Sequence, residues 1–211
     1  MKYKAKNKKG LLLLSGGFDS PVAGHMMQKQ GVEVLAVHFS SKLVTDVESE
    51  KKSKKLSKIL GIKKLFVVDI SEALLRFSKE CEHKFYFVLM KRLMYRVAER
   101  IAESEGCGFL ITGENLAQVS SQTLQNLSVL DKAAGMVVMR PLLGFDKDEI
   151  IQAAKKIGTY QTSCGPEHCD ALGPAHPSTK AKEYFVLKEE GKMDLEKIVE
   201  AYSKKAVQVG L

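Results

Sequence analysis

Residues 11–24 read LLLLSGGFDSPVAG, four leucines running straight into Ser-Gly-Gly. A short apolar run bounded by turn residues reads as a buried strand. Ser20-Pro21 supplies a helix N-cap and a first helical residue. A strand that stops on Ser15-Gly16-Gly17 and turns into a helix aims several backbone N–H groups and a helix N-terminus at one point, where an anion belongs. The glycines let backbone approach a phosphate, and the serine hydroxyls add donors. No lysine follows the glycines where a Walker A loop needs one. The dinucleotide pattern G-x-G-x-x-G is also missing, and the near miss GCGFLI at 106–111 precedes a strand instead of ending one. The alternative, a glycine turn that only connects strand to helix, is outweighed by the pattern Ser-Gly-Gly-x-Asp-Ser in this context.

The rest of the chain repeats that alternation. Besides 10–15, the stretches 32–39, 63–69, 108–113 and 135–141 read as strands, near-continuously apolar and so covered on both faces. Helical patterns occupy 20–30, 46–60, 72–80, 85–105, 115–127 and 146–157, with 180–190 and 194–208 closing the chain. Residues 158–179, rich in Gly, Pro, Cys and His, read as loop. This predicts an α/β fold, one open parallel sheet of about five strands with helices on both faces, as a single domain over 1–211.

Composition bounds the function classes. With 211 residues, 45% of them hydrophobic, the chain can bury one sizeable core. Its longest apolar run is far short of the roughly 20 residues of a membrane span, so no membrane partner is expected. Four scattered cysteines point to a reducing, cytoplasmic setting. A net charge of +8 leaves nucleic-acid binding and a lysine-rich solvated surface both open. In SEKKSKKLSKIL, Leu56, Ile59 and Leu60 fall at helical spacing, which puts the lysines of 51–58 on a solvent face.

SGGFDS resembles the pyrophosphate loop of the PP-loop ATP pyrophosphatases (adenine nucleotide alpha hydrolase-like). Within that superfamily SGGFDSPVAGHMM, VHF, LMKRLMYRVAERIA, TGENLAQVSSQTLQNL, RPLLGFDKDEII, IGTY and PEHCDALGPAHPST follow the order and spacing of the tRNA 4-thiouridine sulfurtransferases, whose catalytic domain also serves thiamine thiazole formation. The resemblance implies that ATP, with Mg²⁺, activates a carbonyl as its AMP ester and that sulfur then displaces AMP. Leu13, Leu14, His38 and Phe39 would form the adenosine pocket, mainly through backbone. Ser15, Gly16, Gly17 and Ser20 would hold pyrophosphate, and Asp19 would position Mg²⁺ or the leaving group. Lys91 matches a basic nucleotide contact, its alternative being a solvated helix charge like Arg92. Gly113, ending the fourth strand, and Gln122, on the next helix, would lie near the nucleotide. Lys147 matches a catalytic lysine, and a cation at a helix N-terminus, against the dipole, suits a phosphate-facing task.

Cys169 matches the family's sulfur-handling cysteine, with Cys164 five residues earlier as its partner. Two metal readings compete. Zinc on Cys164, His168, Cys169 and His176 lacks the spacing of a structural site. An iron–sulfur cluster would need a third ligand such as Cys107. Cys81 and Cys107 otherwise read as packing residues. Implied partners are tRNA, reached directly or through a separate RNA-binding protein, and a sulfide or persulfide donor, with a homodimer left open. The ferredoxin-like, THUMP and rhodanese segments of longer family members have no counterpart in this sequence. A smaller acceptor, amide formation, or nucleotide binding without chemistry therefore stand as alternatives.

Overall fold

A computed structural model describes residues 8–41, 48–116, 122–164 and 172–210. The strands β1 (Lys9–Leu13), β2 (Glu33–Ser40), β3 (Leu65–Asp69), β4 (Phe109–Ile111), β5 (Val138–Met139) and β6 (Val207–Val209) form one sheet in the order β5-β4-β1-β2-β3-β6. All pairs are parallel except β3 with β6. Because β2 and β4 flank β1 on opposite sides, the chain reverses its winding direction at β1. Open α/β sheets bind ligands at the carboxyl edge of such a reversal.

Alternate residues of each strand face opposite layers. Leu11, Leu35, Val37, Phe66, Val68 and Leu110 pack on one side against α3 (Ser71–Glu80), α4 (Tyr86–Ser104), α5 (Leu124–Asp131), α8 (Glu183–Glu190) and α9 (Leu195–Lys204). Leu12, Leu14, Val34, Ala36, Leu65 and Val67 face α1 (Asp19–Lys29), α2 (Glu48–Ile59) and α6 (Lys147–Lys156). Among the described residues no helix is long and apolar enough to cross a membrane.

The structure corrects several expectations. Residues 206–208 are not helical: α9 stops at Lys204, and β6 pairs antiparallel to β3 as a sixth strand. Its Val-Gln-Val alternation has the strand period of two, hidden in sequence by the preceding amphipathic helix. Helix 115–127 reduces to α5, which starts after the Thr123 cap, with 117–121 outside the described residues. A short helix, α7 (Tyr160–Ser163), interrupts the predicted loop 158–179, of which 165–171 lie outside the described residues. Helix α1 begins at Asp19, so Ser20 is not its cap. In α2 the buried stripe is Lys52, Ser53, Leu56 and Ser57, whereas Ile59 is exposed; the lysine run therefore does not all face solvent.

Arg92 is no solvated charge either. Only 1% exposed, it donates through Nε and Nη2 to both oxygens of Glu190 at 2.7 and 3.0 Å, and through Nη1 to the Val129 carbonyl. Arg96 forks onto the same carboxylate at 2.8 and 3.0 Å. This double fork bolts α8 onto α4. Removing one member of a buried ion pair strands the other, at about 3–5 kcal/mol, while removing both leaves no orphan charge. Glu190→Leu alone is therefore expected to cost about that much in urea unfolding, and Arg92→Met with Glu190→Leu clearly less than the sum of the two single losses.

Candidate active site

The carboxyl edge at β1 is built from the loop outward. Leu14 N–H donates to the Val37 carbonyl at 2.8 Å, locking the end of β1 to β2. The chain then closes on itself: Ser15 N–H donates to Ser20 Oγ at 2.8 Å, the two serine hydroxyls lie 3.0 Å apart, and Gly17 N–H donates to Ser15 Oγ at 3.3 Å. Ser20, freed from capping, shapes the loop instead. No side chain caps α1. Its first backbone N–H groups thus face the cradle that Ser15, Gly16, Gly17 and Ser20 enclose, with Asp19 as the first helical residue.

Gly113, four residues past the start of β4, explains why α1 can start where it does. A Cβ there would lie 2.5 Å from Ser20 N and 2.6 Å from the Asp19 carbonyl carbon. Only a glycine admits that approach of two backbones. Gly16 is also enclosed: a Cβ on it would meet the Lys52 Cδ at 3.3 Å.

The expected adenosine wall is formed by the ends of β1 and β2, where Leu13, Leu14, His38 and Phe39 lie together. His38 is 3% exposed and its Nδ1–H donates to the Leu14 carbonyl at 2.9 Å. Burial lowers its pKa from the ordinary value, so the ring is neutral and Nε2 carries a lone pair, without a partner among the described residues. The histidine is a buried residue near the end of β2, tied to the end of β1.

A second polar cluster was not visible in the sequence. Glu114, 5% exposed, accepts from Lys91 Nζ at 2.8 Å, Arg140 Nε at 2.8 Å, the Tyr95 hydroxyl at 2.5 Å and Thr112 Oγ1 at 3.2 Å. Arg140 also reaches Asp131 at 2.6 Å. Burial pushes the Glu114 carboxyl up, but Lys91 and Arg140 outweigh it and bring the carboxyl down to about 2. Lys91 is thus a held cation and not a freely solvated one. Asn115 ties the next pieces together: its N–H donates to Gln122 Oε1 at 3.2 Å and its Nδ2 to the Phe145 carbonyl. Gln122 is helical as expected, in a 3-10 turn just before α5. Phe145 leads into a capping box, Asp146 with Glu149, that presents Lys147 as the first residue of α6, exposed to solvent. Because α6 packs beside α1, its N-terminus and Lys147 stand on the same edge as the loop.

The segment before the cysteine loop is anchored on that loop. Ser163 Oγ donates to the Gly17 carbonyl at 3.0 Å, and the Phe18 and Tyr160 rings lie 5.4 Å apart. Cys164, half-buried, follows directly, and a hydrogen bond with it raises the pKa of the Tyr160 hydroxyl. Cys169 and His168 lie outside the described residues. Cys107 sits at the amino edge of β4, buried in the core, the opposite edge from Cys164. It cannot join Cys164 as a cluster ligand. Burial pushes Cys81 and Cys107 up to about 11, consistent with packing roles. Among the described residues no group of three or more His, Cys, Asp or Glu could hold a metal. Asp19 alone suits Mg²⁺, which takes one or two carboxylates and completes its shell with phosphate oxygens and water.

Of the residues missed, Glu114 and Asn115 stood inside TGEN, but nothing in spacing distinguishes a buried carboxylate from an exposed one. Lys52 carried a signal: it falls four and eight residues before Leu56 and Leu60, on their stripe.

The family described as thiamine biosynthesis protein (ThiI) matches residues 5–195. A probable tRNA sulfurtransferase of Caldanaerobacter subterraneus subsp. tengcongensis is 41% identical over 209 residues, 96% of this chain and 55% of that protein. The chain spans about half the length of the curated relatives it matches. The crystal structure of a 4-thiouridine synthetase–RNA complex with bound ATP is similar at a TM-score of 0.90 and 36% identity, covering 95% of this chain and 54% of that one. The U34-tRNA thiolase NcsA of Methanococcus maripaludis, described with its 4Fe–4S cluster, is similar at a TM-score of 0.56 and 19% identity, over 93% of this chain and 70% of that one. At that identity the likeness extends to the fold alone.

Two outcomes follow from the geometry. A carboxyl held at about 2 against an ordinary 4.5 contributes stability that is complete above pH 4.5 and lost as pH falls toward 2. Acid unfolding between those values should accordingly flatten in Glu114→Gln, which is also less stable at pH 7. Gly113→Ala should push the start of α1 away from β4, lowering the melting temperature measured by calorimetry.

Proposed function

The chain belongs to the thiamine biosynthesis protein (ThiI) family, and from that premise we propose that it is an ATP-dependent sulfurtransferase that thiolates uridine in tRNA to 4-thiouridine. The observation that carries this reading is the Ser15–Ser20 loop folded over the uncapped N-terminus of α1, a cradle of amides and hydroxyls fitted to pyrophosphate.

In this reading the adenine lies against the ends of β1 and β2, along Leu13, Leu14, His38 and Phe39, with Gly113 and Gln122 across from them. Ser15, Gly16, Gly17 and Ser20 hold the β- and γ-phosphates. Asp19 would hold Mg²⁺, which would supply charge neutralisation at the leaving group. The uracil O4 attacks the α-phosphorus, pyrophosphate leaves, and the oxygen becomes part of an AMP ester. Phosphoryl transfer of this kind rests on positioning and charge neutralisation, the task of Lys147 and Lys91. Sulfur from a sulfide or persulfide donor then displaces AMP at C4. With a persulfide donor, Cys169 takes up the outer sulfur as the donor's thiol leaves, and the terminal sulfur attacks C4 and displaces AMP. Cys164 then attacks Cys169 Sγ, releasing the thiolated base and leaving a Cys164–Cys169 disulfide; free sulfide would displace AMP directly, without either cysteine. The anchoring of Ser163 on Gly17 supports a sulfur arm mounted beside the phosphate loop.

The named partner of the similar ATP-bound structure is RNA, which supports tRNA as acceptor. The family's description as a thiamine biosynthesis protein favours a second reading, a smaller acceptor on the thiazole sulfur route.

Anaerobic incubation with ATP, Mg²⁺, sulfide and unmodified tRNA tests the assignment through AMP release and the near-ultraviolet absorbance of thiouridine. Both are expected for the wild-type chain. In Asp19→Ala, AMP release should fall by about 10²-fold or more with the melting temperature unchanged. With a persulfide donor in place of sulfide, Cys169→Ser should keep AMP release and lose thiolation. AMP release without thiouridine in the wild type would move the acceptor to the smaller class.

A further inference from the structure

We infer that the outward face of α8, with the two lysines that lead into it, is an RNA-binding surface on which Tyr184 and Phe185 stack unpaired bases. The inference rests on the tRNA reading above and gives it a contact surface that the residues of the ATP site do not supply.

Helix α8 is apolar on both sides. Val186 is buried beneath it, yet Tyr184, Phe185 and Leu187 are 74%, 47% and 46% exposed. At about 100° per residue, Leu187, Tyr184, Lys188 and Phe185 follow one another around a single arc of roughly 160°. Glu189 and Glu190 point the other way, bonded to the Glu82 N–H and to Arg92. The Tyr184 and Phe185 rings lie 5.4 Å apart at 72°, edge to face. A helix that is apolar all round is normally covered on every side.

Charge identifies the cover. Lys180, Lys182 and Lys188 are exposed and form no ion pair among the described residues. The acids beside them are already matched: Glu183 accepts from Lys132 at 2.5 Å, Glu189 from Lys192 at 2.6 Å, and Glu190 from Arg92 and Arg96. Lys188 is one turn on from Tyr184, about 6 Å away between Cβ atoms. Cations interleaved with open aromatic rings complement a strand of RNA, whose phosphates meet the lysines while its splayed bases stack on the rings. A second copy of the chain would bring the same lysines face to face across an isologous contact, and like charges there oppose association.

The surface is continuous with the candidate site. The chain entering α8 runs along α5: Thr123 Oγ1 donates to the Thr179 carbonyl at 2.7 Å, Asn126 Nδ2 to the Ser178 carbonyl at 2.8 Å, and Ala181 N–H to Asn126 Oδ1 at 2.9 Å. Thr123 follows Gln122, so Lys180 and Lys182 lie on the run that leads from the border of the site to the two rings.

Fluorescence anisotropy with an unmodified tRNA transcript tests this on the whole chain. Tyr184→Ser with Phe185→Ser should weaken binding about tenfold or more, as loss of base stacking does, with ATP affinity and melting temperature unchanged. Tyr184→Trp with Phe185→Trp should restore it. Lys180→Gln, Lys182→Gln and Lys188→Gln together should lower the slope of log affinity against log salt by about 2, whereas the serine pair leaves that slope as it was. Ultraviolet crosslinking of the wild-type chain should put RNA on the peptide that carries Tyr184 and Phe185. Unchanged RNA affinity in the serine pair, or crosslinks only elsewhere, would overturn this surface and leave the tRNA reading standing. Sedimentation showing a dimer that the serine pair dissociates would assign the face to a second copy and overturn the RNA surface. A wild-type chain that bound no tRNA yet released AMP with a smaller acceptor would overturn the tRNA reading itself, and this inference with it.

Discussion

One buried carboxylate holds the floor of the site together. Glu114 stands just past β4 and gathers donors from three elements: Lys91 and Tyr95 on α4, Thr112 from its own strand end, and Arg140 after β5. With two cations in direct contact the carboxylate stays charged although it is buried, and the cations would be stranded without it. The consequence reaches past stability. The connection that leaves β4 carries Gly113, which sets the approach of α1, and Asn115, which fixes both Gln122 and the turn before Lys147. Residues far apart in the chain therefore take up positions around one anchored segment.

Much of the fold was legible because its signals are local. Leucines 11–14 are apolar at every position and the run 32–39 nearly so, interrupted by Glu33 and His38, as strands covered on both faces are, and their turn residues mark the ends. What escaped depended on distant partners. The pairing of β6 exists because β3 offers an open edge, a fact absent from the sequence around residue 207. Arg92 reads as a surface charge until Glu190, nearly a hundred residues on, is placed beside it. The lysine run misled for a different reason. A run of lysines reads as one solvated face, yet Lys52 falls four residues before Leu56 and so shares its buried stripe.

The site was legible to the extent that its groups are carried on the loop itself. Ser15, Gly16, Gly17, Asp19 and Ser20 fall within six consecutive positions, and strand followed by helix dictates where their amides point. Ser20 shows the limit: local preference makes it a cap, whereas the tertiary bond to Ser15 makes it a loop staple. Lys91, read as either a ligand or a solvated charge, proved to be governed by a carboxylate 23 positions away. Such long-range ion pairs leave no periodicity to read.

The two borders of the sheet have a bearing on how the protein behaves in a crowded solution. One ends in the three residues of β6, the other in the two of β5. Unpaired strand borders are templates for cross-chain pairing, and the hazard grows with their length and flatness. Here the four central strands, the apolar ones, are paired on both sides, and what remains outermost is too brief to recruit another copy through more than a few backbone bonds. Antiparallel β6, which the helix pattern concealed, is thus a seal against aggregation laid over β3, a strand of five residues with four buried.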